Sequence, residues 1–308
     1  MRASPRAVMA HPRRIVAHET YLITRRCNQR AFRLRPSAVT NQIFMYCLAL
    51  AMQKTGVRLH AACVMSNHHH LVVTDPNGVL PDFLRELHRL TAKAINASQG
   101  QWENLWAATP CNVVRLVTDQ DIEDKVAYVV MNPVVDGLVR HPNEWPGFIA
   151  WRARSVKVTR PESYFREDGD CPAELDLVVE PPPQKEERRP FEEAWPTRIA
   201  RRVAEGVAAA REALRAKGRE VLGRNVVLSA SFAQRAKSYE EKRGIIPTFA
   251  ARKKSVRDQL RRVEQHFRRQ YREAFKRWRR GDRAVEFPDG TWGMRVVHAA
   301  SVAPPLAA

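Results

Sequence analysis

Three histidines stand in a row at His68, His69 and His70, inside VMSNHHHLVV (Val64–Val73). The run is internal, so it is not a terminal tag. An apolar run follows it, and in a strand alternate side chains point to opposite faces. His68 and His70 then project together, and His69 points away. A lone histidine usually packs or sits on the surface. A His-x-His pair directly after a turn can place two imidazoles on one divalent ion. Imidazole suits Zn, Cu, Fe and Ni, and two imidazoles with an oxygen donor can also hold Mn or Mg beside a phosphate. A second cluster lies in TDQDIEDKVAYVVMN (Thr118–Asn132). Lys125, Tyr128 and Asn132 are spaced three and four apart and share a helix face. Read alone, Tyr128 is a half-buried tyrosine near a helix end. Read with the histidines, it can attack a phosphate, Asn132 can give an amide oxygen to the metal, and Lys125 can steady the phosphate or favour the phenolate.

Elements of both types must carry these residues. Ile15–Cys27 is rich in β-branched and aromatic residues and reads as a strand. Ser37–Thr55 reads as a helix stopped by Gly56. Val57–Met65 and His68–Thr74 read as a hairpin about Ser66-Asn67. Pro81–Ala97 reads as a helix with proline in its first turn, and Val113–Val117 as a strand. Thr118 can cap the helix Thr118–Asn132, acidic residues fill its first turn, and Pro133 should end or kink it. In that helix Ile122, Val126, Val129 and Val130 make the apolar face. Strands and helices interleave, which predicts an α+β domain.

The organisation expected is a loose basic arm over 1–14, a catalytic-type domain over 15–155, a proline-rich acidic linker over 156–190 with a short edge strand in LDLVV, and a mostly helical basic region over 191–308. Ser255–Arg280 is the longest clear helix, with Val256, Leu260, Val263, Phe267, Tyr271, Phe275 and Trp278 recurring every three or four positions. Between Arg252 and Arg283 there are 14 Lys/Arg against 4 Asp/Glu. Arg252, Lys253, Lys254, Arg261, Arg268 and Arg272 are therefore candidate nucleic-acid contacts together with Lys125. His18 and His88 read as structural, and Trp278 as a core residue.

The chain has 308 residues and a formal net charge of +19. Such an excess calls for a polyanionic partner, most simply nucleic acid. No run of 18 apolar residues predicts a membrane helix, and the N-terminal segment lacks the apolar core of a secretory signal. Five scattered cysteines without a CxxC pair support neither a disulfide framework nor a zinc ribbon. A reducing cytoplasm is the expected compartment. There is no Gly-Lys pair, hence no phosphate-binding P-loop.

MSNHHHLVV and AYVVMNPVVDGLV resemble two motifs of the HUH single-tyrosine transposases, in the form found in REP-associated tyrosine transposases. The first matches M-P-N-H-hydrophobic-H-L. The second matches Y-I-x-x-N-P-V-x-x-G-L-V. The resemblance runs from about Ala17 to Trp151. It implies a small antiparallel sheet flanked by helices (HUH or ferredoxin-like), followed here by a mostly helical basic region outside the family motifs. It implies His68 and His70 as ligands of Mg or Mn and Asn132 as a third polar ligand. Tyr128 would be the nucleophile that forms a 5′-phosphotyrosine link. Single-stranded or hairpin DNA would be the partner, and the protein a monomer or homodimer. The chain departs from the pattern at Ser66 (proline in the family), at His69 (an apolar residue), at Val135 and Asp136 (often basic), and after Trp106 in WENLW, where the usual basic residue is missing. Three other readings stay open: a non-catalytic DNA-binding protein on the same scaffold, an RNA-binding protein, and a hydrolytic metal nuclease.

Overall fold

A computed structural model of the chain describes residues 12–166, 169, 171–185, 193–237 and 247–304. It divides into two compact units, His18–Ala251 and Met1–Ala17 with Arg252–Ala308.

The larger unit is built on a mixed sheet. Its strands are β1 (Glu19–Arg26), β2 (Arg58–Met65), β3 (His68–Asp75), β4 (Asn112–Leu116), β5 (Ile149–Ala150), β6 (Arg154–Thr159), β7 (Glu174–Val179) and β8 (Phe249–Ala250). The order is β6-β7-β2-β3-β1-β4-β8, with β5 paired to β2. Its centre, β2-β3-β1-β4, is antiparallel throughout, while β7 joins β2 and β8 joins β4 in parallel. The helices are α1 (Ala38–Thr55), α2 (Leu80–Gln99), α3 (Asp119–Val135), α4 (Trp195–Ala216) and α5 (Arg224–Ser229). The α+β class and the central sheet flanked by helices are as the sequence predicts.

Local signals set the ends of these elements. The Ser37 hydroxyl accepts from Thr40 N–H to start α1, and Gly56 stops it in the left-handed region at φ 74°. Thr118 and Asp121 form a reciprocal capping box at the start of α3. Pro133 lies inside the last turn of α3 rather than ending it, and the chain leaves the helix only after Val135. A proline near the end of a helix forfeits one backbone bond and leaves little helix beyond it to break. β1 begins at Glu19 and not at Ile15, because His18 has φ 64° and turns the chain.

The segment expected as a linker over 156–190 takes part in the sheet. β6 and β7 pair over six residues from Arg154↔Val179 to Thr159↔Glu174, and β7 meets β2 at Leu59↔Val179. Alternate burial of Leu175, Leu177 and Val179 shows why LDLVV belongs there: one face is apolar. The expected borders at 155 and 190 therefore fall within the larger unit.

Two helical layers cover opposite faces of the sheet. Phe44 of α1 and His88 of α2 meet His69 of β3 on one side. On the other, Leu22, Ala61, Cys63, Met65, Val72 and Val114 pack with Ile122, Val126, Val129 and Val130 of α3, and Ile199, Val203 and Val207 of α4 join that core. All five cysteines are free.

The second unit contains α6 (Lys254–Arg279) and α7 (Trp292–His298). Ala274, Val285, Phe287, Met294 and Ala300 form its core, with Tyr271, Phe275 and Trp278 packed against it. Trp278 also carries Arg283 over its ring at 4.1 Å. Residues 12–14 are not loose. Arg14 pairs with Asp289 at 2.8 Å, and Ile15 N–H donates to the Gly290 carbonyl. Residues 1–11 of the expected arm lie outside the described residues. Among those residues, no helix is long and apolar enough to cross a membrane.

Candidate active site

The pleat of β3 separates the three histidines. His68 and His70 share the face toward α3, with ring centroids 4.7 Å apart and planes at 88°. β3 lies between two antiparallel neighbours, so each histidine has fixed flanks: Arg26 and Met65 beside His68, Thr24 and Cys63 beside His70. The Thr24 hydroxyl lies 2.9 Å from His70 Nδ1, and Asn67 Oδ1 lies 2.6 Å from His68 Nδ1. The hairpin turn is held as well. Leu34 N–H donates to the Ser66 carbonyl and Cys27 N–H to the Asn67 carbonyl.

His69 faces the other way. Its Nε2 lies 3.0 Å from His88 Nε2, and Phe44 and Trp106 pack on its ring. Trp106 donates its indole N–H to the His88 carbonyl. Burial holds the His69 pKa well below its ordinary value. His69 and His88 are thus a core pair, separated from His68 and His70 by the thickness of the sheet. His18 is exposed at the Glu19 end of β1, far from Thr24 and Arg26.

Helix α3 brings Tyr128 over the histidine pair. Its ring centroid lies 5.4 Å from that of His70, at 80°. Tyr128 is 37% exposed and His68 is half-buried, while His70 is 4% exposed. Asn132 stands one turn on along α3, and its side-chain amide favours the ionised phenol of Tyr128. Lys125 Nζ lies 5.5 Å from the Tyr128 ring centroid, a cation–π distance.

Charge and burial set the protonation states. Burial pushes the Tyr128 pKa up. The Asn132 amide and the Arg26 charge oppose that rise, and Asp136 adds to it. Burial, then His68 and Arg26, drives the His70 pKa well down. His70 is therefore neutral at ordinary pH, the form in which imidazole binds a metal.

The donor set of His68, His70 and Asn132 suits a divalent ion. Two imidazoles stand side by side, each with its Nδ1 engaged by a polar side chain. Such outer bonds fix ring orientation and direct ligation to the other nitrogen. Among the described residues, no group of three or more His, Cys, Asp or Glu side chains forms a metal cluster.

Lys125 is the one predicted nucleic-acid contact that shares a helix face with Tyr128. Arg252, Lys253, Lys254, Arg261, Arg268 and Arg272 belong to the other unit. Arg261 pairs with Asp258 at 3.1 Å and Arg268 with Glu264 at 2.9 Å along α6. Thr24, Arg26 and Asn67 were not singled out by sequence reasoning. Asn67 was legible as the residue flanking the histidine run. Thr24 and Arg26 needed the β1–β3 register, which periodicity alone does not give.

No family model matches the chain, and no curated protein matches it. Solved structures similar to parts of it include two transposases. One is a REP-associated tyrosine transposase bound to a REP hairpin. It is 18% identical, spans 53% of this chain and 100% of that chain, and has a TM-score of 0.39. The other is a candidate transposase from Deinococcus radiodurans R1. It is 20% identical, spans 40% of this chain and 97% of that chain, and has a TM-score of 0.29.

Proposed function

We propose that the chain is a metal-dependent DNA strand transferase, a transposase-type enzyme that cuts and rejoins single-stranded DNA through a phosphotyrosine. The observation that carries this reading is the placement of the Tyr128 ring against His70, beside His68, with Asn132 one turn on along the same helix. In cleavage the Tyr128 oxygen forms a bond to phosphorus and the bond from phosphorus to the 3′ oxygen breaks. The phenol proton is lost to solvent, and the departing 3′ oxygen takes one up. The products are a 5′-phosphotyrosine and a free 3′-hydroxyl. Attack by another 3′-hydroxyl reverses the step and joins a new strand. The ester keeps the bond energy, so no nucleotide triphosphate is needed.

His68, His70 and Asn132 would hold Mg or Mn, which supplies Lewis-acid stabilisation of charge on the phosphoryl oxygens. Asn132 steadies the oxygen that becomes anionic before attack. Lys125 and Arg26 place positive charge around the phosphate. Trp102, 92% exposed in the segment after α2, offers a face on which a base can stack. That segment is tied to the end of β1, because Asn28 N–H donates to the Leu105 carbonyl and Ala107 N–H to the Arg26 carbonyl.

The test is incubation with labelled single-stranded hairpin oligonucleotides, taken from repeats flanking the coding sequence, with Mn or Mg, followed by denaturing gels. A covalent adduct in the wild type, absent in Tyr128→Phe and in His68→Ala/His70→Ala, is the expected result. Tight binding without any adduct would overturn it in favour of a non-catalytic DNA-binding protein. Cleavage that survives Tyr128→Phe would indicate a water-using nuclease.

A further inference from the structure

Tyr128 packs on His70 on one side and is open on the other, so the place of its oxygen follows the place of α3. Attack on phosphorus needs the reacting atoms aligned about 3–3.5 Å apart, and a displacement of 1 Å can cost a hundredfold in rate. The position of Tyr128 must therefore be set by whatever holds α3. The sheet holds one face. The other is gripped along its whole length by α4 and the residues that follow it.

At the start of α3, the carboxylate of Glu123 is nearly buried, with 6% of its side chain exposed. It accepts from Arg198 Nε at 2.6 Å and from Arg202 at 2.8 Å. Arg202 also reaches Asp124 at 2.6 Å. A buried carboxylate loses heavily if its partners leave, so this contact resists separation of the helices. In the middle, α4 carries Gly206, where a Cβ would lie 2.0 Å from Met131 Sδ and 2.7 Å from its Cε. The flexible thioether end of half-buried Met131 fills that space, so it can give way to a methyl, and only a bulkier residue at 206 presses the helices apart. Met131 is adjacent in sequence to Asn132 and three residues from Tyr128. At the exit from α3, Leu222 N–H donates to the Gly137 carbonyl, Gly223 N–H to the Leu138 carbonyl, and Arg219 to the Asp136 carbonyl.

We propose that α4 and the segment to Gly223 form a strap that positions the nucleophile. Arg198, Arg202 and Gly206 are its positioning residues, and they act on Tyr128 and Asn132 through α3. This rests on the strand-transferase reading above. It assigns a positioning duty to residues outside the histidine and tyrosine motifs.

The experiment compares single-turnover adduct formation at saturating hairpin DNA with the DNA dissociation constant, in the full chain with Mn. The variants are Gly206→Leu, Met131→Ala and the double variant. The strap predicts that Gly206→Leu wedges α4 away from α3. The adduct rate constant then falls more than tenfold while the dissociation constant stays within about twofold. In the double variant the truncated Met131 makes room for the leucine, and the rate returns to within about threefold of wild type. Met131→Ala alone lowers it only severalfold. A rate for Gly206→Leu within threefold of wild type overturns the strap. So does a parallel loss of rate and binding that the double variant does not rescue, since that is the mark of a merely structural role. Should Gly206→Leu not fold, Arg202→Met answers the same question, because the Arg198–Glu123 pair remains. A severalfold loss in rate at unchanged affinity supports the strap, and no loss overturns it. A wild type that forms no adduct at all defeats the strand-transferase reading itself, and positioning falls with it. Hydrogen exchange of the α3 amides in the same variants shows separately whether the helices part.

Discussion

Thr24 and Asn67 hold the two imidazoles that face Tyr128 by engaging Nδ1 of each ring. Thr24→Val keeps the shape of the side chain and removes that partner from His70. It is expected to weaken Mn binding about 10–100-fold, read by calorimetric titration, with the fold intact by circular dichroism. Unchanged affinity would show that His70 is not held for a metal. At this scale the sequence was informative about chemistry and about the face each residue takes, and silent about the neighbours behind it. His68, His70, Lys125, Tyr128 and Asn132 could be picked by residue type and spacing. The alternation of a strand already assigned His69 to the opposite face. What sits behind a ligand depends on which strand pairs with which and in what register, so Thr24 and Arg26 had no signal in the sequence.

Among the elements, α3 matters most, because it carries the phenol, the amide and the lysine. Its start depends on Thr118, whose hydroxyl accepts from Asp121 N–H while the Asp121 carboxylate accepts from Thr118 N–H. Thr118→Ala removes half of this box and is expected to cost about 1 kcal/mol of stability, measured by urea unfolding with a slope like that of wild type. A loss of less than about 0.3 kcal/mol would mean that tertiary packing alone holds the first turn. The α1, α2 and α3 helices were legible from different local signals: the Gly56 stop of α1, the proline in the first turn of α2, and the Thr118 cap with the apolar Ile122, Val126, Val129 and Val130 of α3. β7 was half legible, since LDLVV alternates like a strand. Its place beside β2 depends on a long-range pairing that no local signal encodes. The grip of α4 on α3 was likewise invisible in the sequence, because Gly206 and Met131 acquire meaning only when the two helices touch.

At the scale of the whole molecule, charge and buried histidines make two predictions. The net charge of +19 should make the affinity for single-stranded DNA fall linearly on a log–log plot against salt. Lys125→Ala should lower that slope by about 0.7–1, read by fluorescence anisotropy. No change in slope would remove Lys125 from the phosphate path. The second prediction concerns acid. Burial drives the His60 pKa down to about 4, against an ordinary value of 6.5, and pushes His69 and His88 the same way. Below about pH 6.5 the unfolded chain takes up protons that the folded chain refuses. Stability that is fully present above pH 6.5 is therefore lost progressively as pH falls toward 4. The urea midpoint should drop steadily between pH 7 and pH 4.5, and a flat midpoint would contradict the neutral, buried state of these rings.

The most direct measurement of the central claim is mass spectrometry of the wild type after incubation with hairpin DNA and Mn, followed by nuclease and trypsin. Cleavage after Lys125 and Arg140 releases Val126–Arg140, which contains Tyr128 as its only tyrosine. A nucleotide remnant joined to that peptide through a phosphate, at Tyr128, is the result predicted here. Cleaved DNA with the remnant on another peptide, or with no remnant at all, would contradict it.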